Sequence, residues 1–133
     1  MRAAGEAARR KKLPTTLSQH EILLGMHLKE LGYGDYQREF RFFPERKWRF
    51  DFAVLRNDGL KSSLKLAIEI EGSIWTRGRH TRGAGFQADI EKYNTAVIFG
   101  WDILRFSVAD VLNGQARETL NQFKRVRGER ADG

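Results

Sequence analysis

The chain has 133 residues, 41% hydrophobic and 11% aromatic, which suits one domain around a single core and excludes a disordered polymer. It has no cysteine, which excludes disulfides, thiolate zinc sites and cysteine nucleophiles. The net charge is +7, which points to an anionic partner, yet residues 1–13 (five basic groups, one acidic) and 124–133 (four basic, two acidic) carry nearly all of it.

No apolar run is long enough to span a membrane. The basic N-terminus lacks the apolar stretch of a secretory signal, so a cytoplasmic protein with no membrane partner is expected. Residues 1–13, with Arg9, Arg10, Lys11 and Lys12, read as a flexible basic arm, residues 14–126 as one domain and 127–133 as a flexible tail. The arm has two readings, a solvating tail or a set of phosphate contacts.

After Pro14 a helix opens, with Ser18 as N-cap and Glu21 completing a capping box. Leu17, Ile22, Leu24, Met26, Leu28 and Leu31 supply its apolar face, and "GYGD" ends it. Tyr36–Phe43 reads as a strand and "PERK" as a turn. "WRFDFAVL" alternates, with Trp48, Phe50, Phe52 and Val54 on one face and Arg49, Asp51, Ala53 and Leu55 on the other. After a loop at "RNDGLKSS", "LKLAIEIE" alternates again. Leu64, Leu66, Ile68 and Ile70 share one face; Lys65, Ala67, Glu69 and Glu71 share the other.

A loop rich in Gly and Arg follows from Gly72 to Gly85. Phe86–Phe99 reads as a helix with Phe86, Ile90, Tyr93 and Val97 on its apolar face. "WDILRF" is a short strand, and Ser107 with Asp110 caps a last helix running to about Val126. The order is αβββαβα, an α/β chain with a central mixed sheet flanked by helices. A helix between two strands implies at least one parallel pair.

Glu69 and Glu71 are two carboxylates on one side of an otherwise apolar strand, and Asp51 interrupts the preceding strand. Such charges are costly on a sheet face, and a divalent cation with oxygen ligands removes the penalty. Antiparallel pairing of the two strands brings Asp51 towards Glu69 if the register allows. The alternative is an edge strand whose glutamates face water or pair with Arg49 and Lys65. Arg77, Arg79 and Arg82 adjoin the acids and read as DNA-phosphate contacts or as a solvated loop. His80 lies among them and can exchange a proton near neutral pH. No P-loop or dinucleotide fingerprint is present.

Asp51 in one strand and Glu69-Ile70-Glu71 in the next resemble the core motif of the PD-(D/E)xK nuclease superfamily. The run "WRFDFAV", then "LAIEIEGSIWTRGRHTRGAGFQADIEKYNTAVIFGWDILRF", is similar to small phage and prophage endonucleases and, more distantly, to very-short-patch repair endonucleases. The resemblance covers about Ser18 to Leu112. It implies a restriction-endonuclease-like core and hydrolysis of DNA phosphodiester bonds with Mg²⁺ or Mn²⁺, in phage or prophage DNA processing, recombination or repair. The setting it implies is a bacterial or phage-infected cytoplasm. Cutting both strands then takes a homodimer or two successive events.

Carried onto this chain, the resemblance makes Asp51 and Glu69 metal ligands, with the backbone carbonyl of Ile70 completing the inner shell. Two departures stand out. Phe50 precedes Asp51 where the motif has proline, and Glu71 stands where the motif has lysine. Glu71 is then a further ligand or a general base. Lys92, on the following helix, is the candidate for the displaced lysine; its other reading is a surface pair with Asp89. Glu21 likewise has two readings, a cap alone or a helix carboxylate turned to the metal site. A non-catalytic nucleic-acid-binding protein on the same fold is the alternative for the whole chain.

Overall fold

Ser18 starts the first helix for the reason its neighbours suggest. In the computed structural model, which describes residues 17–57, 63–71 and 84–128, its hydroxyl accepts the Glu21 N–H and the Glu21 carboxylate accepts the Ser18 N–H. Helix α1 runs Gln19–Glu30 and ends at Gly32, whose φ of 90° lets the Tyr33 N–H return to the Leu28 carbonyl at 2.7 Å.

Strands β1 (Gln37–Arg41), β2 (Arg49–Asn57), β3 (Ser63–Ile70) and β4 (Asp102–Phe106) form one sheet in the order β1-β2-β3-β4. The first two pairings are antiparallel. β3 and β4 are parallel, joined through helix α2 (Ala84–Ile98), as the helix between them requires. Gly100, at φ 91°, closes α2 by letting the Trp101 N–H reach the Ala96 carbonyl at 2.9 Å. The molecule is therefore α/β with a four-stranded mixed sheet and helices on both faces.

The expected last helix is broken. The Ser107–Asp110 capping box starts α3 (Val108–Leu112), Gly114 at φ 91° turns the chain, and α4 (Gln115–Phe123) follows. A π-helical turn carries it through Lys124–Gly128.

One sheet face packs Phe52, Val54, Leu66, Ile68 and Phe106 against Leu24, Leu28, Val111, Ala116 and Leu120 from α1, α3 and α4. The other gathers Phe50, Ala53, Ala67, Ala96 and Trp101, with Ala96 supplied by α2. The expected faces of both long helices need correction. On α1 the buried stripe is Leu24, Leu28 and Leu31, whereas Leu17, Ile22 and Met26 are exposed. Residues two apart on a helix lie about 200° apart, so Ile22 and Leu24 cannot share a face. On α2, Phe86, Ile90 and Val97 are exposed. Lys92, Tyr93 and Ala96 turn inward instead, because the sheet offers them the Glu69 carboxylate and a shallow floor of Ala53 and Ala67.

The alternation of β3 holds along its length, but that of β2 breaks. Phe52 and Val54 face α1 while Phe50 joins the α2 face, so the strand flips sides around Asp51. β1 flips with it, for Phe40 also joins the α2 face whereas Arg38 lies over the Phe52 ring. Between them sits Glu39, at φ 50°. The β1–β2 register is the same on both sides of this kink, so the two strands turn together. Trp48, Phe42 and Phe50 then stack on the α2 face rather than beside Phe52.

Candidate active site

The kink in β2 is where charged side chains collect. The β2–β3 ladder pairs Asn57 with Ser63 through Phe52 with Ile68, and the next step of that register sets Asp51 opposite Glu69. There the backbone ladder gives way to side chains. The Asp51 N–H donates to Glu69 Oε2 at 3.0 Å, and the Ile70 N–H donates to Asp51 Oδ2 at 2.8 Å. Each carboxylate thus takes the place of a ladder carbonyl on the neighbouring strand, which holds the two acids together and fixes their orientation.

Helix α2 closes over this pair. Lys92 Nζ donates to Glu69 Oε1 at 3.0 Å, and the Tyr93 hydroxyl donates to the same oxygen at 2.7 Å. Lys92 is therefore not a surface partner of Asp89; its side chain is 12% exposed and that of Glu69 9%. Burial pushes the Asp51 carboxyl up to about 6; the Ile70 N–H works against this, the Glu69 and Glu39 charges add to it, and Lys92 opposes it. The Tyr93 hydroxyl is also pushed up, by burial and then by the Glu69 charge that its proton faces.

Glu21 caps the helix as expected, and its second oxygen goes to an arginine. Its Oε1 caps the helix, while Oε2 accepts from Arg38 Nη2 at 3.3 Å, and Arg38 Nε reaches the Asp51 backbone carbonyl at 3.2 Å. Through Arg38, Glu21 is linked to the Asp51 backbone and not to the carboxylate pair. Burial raises its pKa, but the Ser18 backbone and hydroxyl and the Arg38 and His20 charges outweigh it, and the net direction is down.

Glu71 has a partner of its own. Arg105, one residue before the end of β4, pairs with its carboxylate and lies 4.7 Å from the Tyr93 ring centroid. The pair raises the Arg105 pKa, first through its hydrogen bond to Glu71. The Glu71 charge is thus neutralised from the adjacent strand. Among the described residues, no three His, Cys, Asp or Glu side chains gather as a ready-made metal cage.

The structure brings Asp51, Glu69 and Lys92 together, ties Glu21 to them through Arg38, and places Glu71 beside them with Arg105. His80, Arg77, Arg79 and Arg82, and the arm residues Arg9, Arg10, Lys11 and Lys12, lie outside the described residues. Three participants escaped the sequence reading. Tyr93 counted there as an apolar helix residue, though it directly follows Lys92. Arg38 and Arg105 had no local signal, because their partners lie 13 and 34 residues away.

The donor set suits a hard divalent cation. Asp51 and Glu69 offer carboxylate oxygens, and among the described residues Asp51 Oδ1 accepts no hydrogen bond. A carboxyl held near 6 by burial and a second acid is under-compensated, and a cation bound beside it relieves that cost. Among the described residues no helix is long and apolar enough to cross a membrane. No family model, no curated protein and no solved structure matches this chain.

Proposed function

We propose that this protein is a divalent-metal-dependent endonuclease that hydrolyses DNA phosphodiester bonds on a restriction-endonuclease-like core. The observation that carries the reading is the meeting of Asp51, Glu69 and Lys92 where the β2–β3 ladder ends, two acids from adjacent strands with a cation from the following helix. Asp51 and Glu69 hold Mg²⁺ or Mn²⁺, with the Ile70 carbonyl as the backbone ligand. The bound ion supplies a water of lowered pKa and neutralises charge that develops on the phosphate.

The remaining work falls to the chain itself. The Ile70 and Asp51 N–H groups keep the two carboxylates turned towards each other. Arg38 fixes the Asp51 backbone at the kink. Lys92 is the cation that position 71 lacks, and it orients the attacking water or the phosphate. Recruiting Glu71 as a further ligand or base requires breaking its pair with Arg105. Arg77, Arg79, Arg82 and His80 in the loop, and Arg9, Arg10, Lys11 and Lys12 in the arm, contact DNA phosphates, with His80 also placed to move a proton. Phage or prophage DNA processing, recombination or repair in a bacterial cytoplasm is the setting that fits this activity.

The second reading, a non-catalytic nucleic-acid-binding protein, is favoured by one feature: Glu69 is already neutralised from within by Lys92. Incubating linear, nicked, mismatched, single-stranded and branched DNA with Mg²⁺, Mn²⁺ or EDTA separates the two. Nicking that needs metal supports the nuclease; binding with no metal-dependent nicking of any substrate supports the alternative. Removal of residues 1–12 flattens the slope of log affinity against log salt if the arm contacts phosphate.

A further inference from the structure

Both oxygens of Glu69 are occupied from inside the protein. Oε1 takes the Lys92 ammonium at 3.0 Å and the Tyr93 hydroxyl at 2.7 Å, and Oε2 takes the Asp51 N–H at 3.0 Å. The Lys92–Glu69 pair is nearly closed to water, and the ammonium lies 5.4 Å from the Phe50 ring centroid and 5.2 Å from that of Tyr93. Aromatic faces at that distance stabilise a desolvated cation. Among the described residues, Asp51 by contrast has only the Ile70 N–H on its carboxylate, since Arg38 reaches its backbone carbonyl instead. Among the described residues, one monovalent cation therefore serves the buried Glu69 and the half-buried Asp51. A divalent cation held by both acids needs a Glu69 oxygen; Oε1 already faces an ammonium 3.0 Å away and Oε2 belongs to the same small carboxylate, so a metal on either one meets strong like-charge repulsion from Lys92.

We propose that Lys92 is the resident cation of this centre, and that a divalent metal binds by displacing its ammonium from Glu69. This rests on the metal-nuclease reading of the same site. Lys92 then has two positions in one cycle. Without metal its ammonium compensates Glu69. With metal it is released from the carboxylate and becomes available to an anionic group beside the centre, which is where a scissile phosphate lies. The lysine thereby lowers metal affinity while it keeps the empty centre folded.

The test is direct Mn²⁺ binding, counted by electron paramagnetic resonance on metal-free wild type and Lys92→Met, which keeps an unbranched stem and loses the charge. The variant is expected to bind Mn²⁺ at least about tenfold more tightly, the scale on which outer partners of ligands change metal affinity. In parallel, Mg²⁺ is titrated into wild type and the lysine Cε–H resonances are followed. Those of Lys92 are expected to shift in step with binding. Equal or weaker Mn²⁺ binding by a folded Lys92→Met, or Lys92 resonances that stay still while Mg²⁺ binds, overturns the proposal and leaves the nuclease reading standing. If the variant fails to fold, the wild-type titration decides. If neither protein takes up Mn²⁺, the proposal and the metal-dependent reading fall together.

Discussion

The two faces of the sheet are built on different principles. The α1–α3–α4 face is a continuous apolar core of large side chains, with Leu24, Leu28, Phe52, Leu66, Ile68 and Leu120 fully buried. The α2 face has two alanines at its centre and an aromatic stack around Phe42, Phe50 and Trp101, with the Lys92–Glu69 pair beside Phe50. α2 leaves Phe86, Ile90 and Val97 exposed and is fastened largely by polar groups. Dispersion and burial stabilise without regard to direction, so the first face serves for rigidity. Directed polar contacts can be exchanged for others, so the second face is the one that can host chemistry.

The largest expected effect separates the faces by what they do. Asp51→Ala and Glu69→Ala are expected to lower metal-dependent cleavage by at least about a thousandfold, the upper range for losing one transition-state stabiliser. Both variants should still bind DNA. Cleavage near the wild-type rate by either one, folded by circular dichroism, removes the site from the α2 face.

The converse comes next. Leu24→Ala on the other face is expected to cost about 3 kcal/mol of unfolding free energy by leaving a cavity, with the cleavage rate per folded molecule unchanged. Urea denaturation alongside single-turnover cleavage reads both quantities. A large loss of rate in the folded variant means that the α1 face takes part in the chemistry after all.

Tyr93→Phe removes one donor from a buried carboxylate and should cost about 1.5–3 kcal/mol, the range for a hydrogen bond to a charged group. The same substitution spares the apolar ring. An unchanged urea midpoint would show that Lys92 secures Glu69 to α2 without help from Tyr93.

The pH response sharpens the contrast further. Asp51 is raised to about 6 in the folded protein, above its unfolded value, so the folded state holds more protons between roughly pH 4 and 6 and loses stability as pH rises through that window. Asp51→Asn keeps an acceptor for the Ile70 N–H and removes the charge. Without metal, the variant should exceed wild type in melting temperature at pH 7, and the two should converge towards pH 4. Parallel curves across that range contradict the burial of this carboxyl.

The smallest effect is expected where α2 faces outward. Val97 is 61% exposed, so Val97→Ser should change stability by no more than about 0.5 kcal/mol. A loss of several times that size, measured in the same urea series, means that something covers this helix face in solution.

Much of the fold was legible in one dimension because it depends on local patterns. The capping boxes at Ser18 and Ser107 need only residues three apart, and a helix between two strands forces a parallel pair. The alternation of β3 put Glu69 and Glu71 on one side, and antiparallel pairing allowed Asp51 to approach Glu69, though only the register of the folded sheet sets them opposite each other. Lys92 stood out by its place on the helix after the strand, and the structure pairs it with Glu69. What failed did so where a long-range contact overrides a local period. Strict alternation sets Phe50 beside Phe52, but the carboxylates break the ladder at Asp51 and both strands turn over. Apolar periodicity sets Phe86, Ile90 and Val97 inward, but α2 rotates to bring Lys92 and Tyr93 onto Glu69.

The sequence by itself determined which elements form and which acids can meet, since capping, strand alternation and crossover geometry act over a few residues at a time. Only the tertiary structure decided how the acids are compensated. Glu69 goes to Lys92 and Tyr93, Glu71 to Arg105, and Glu21 to Arg38, pairings spanning 17 to 34 residues. The physical reason is that a buried charge is satisfied by whichever opposite charge the fold brings within about 3 Å. That distance is set by strand register and helix rotation, which no short stretch of the chain encodes.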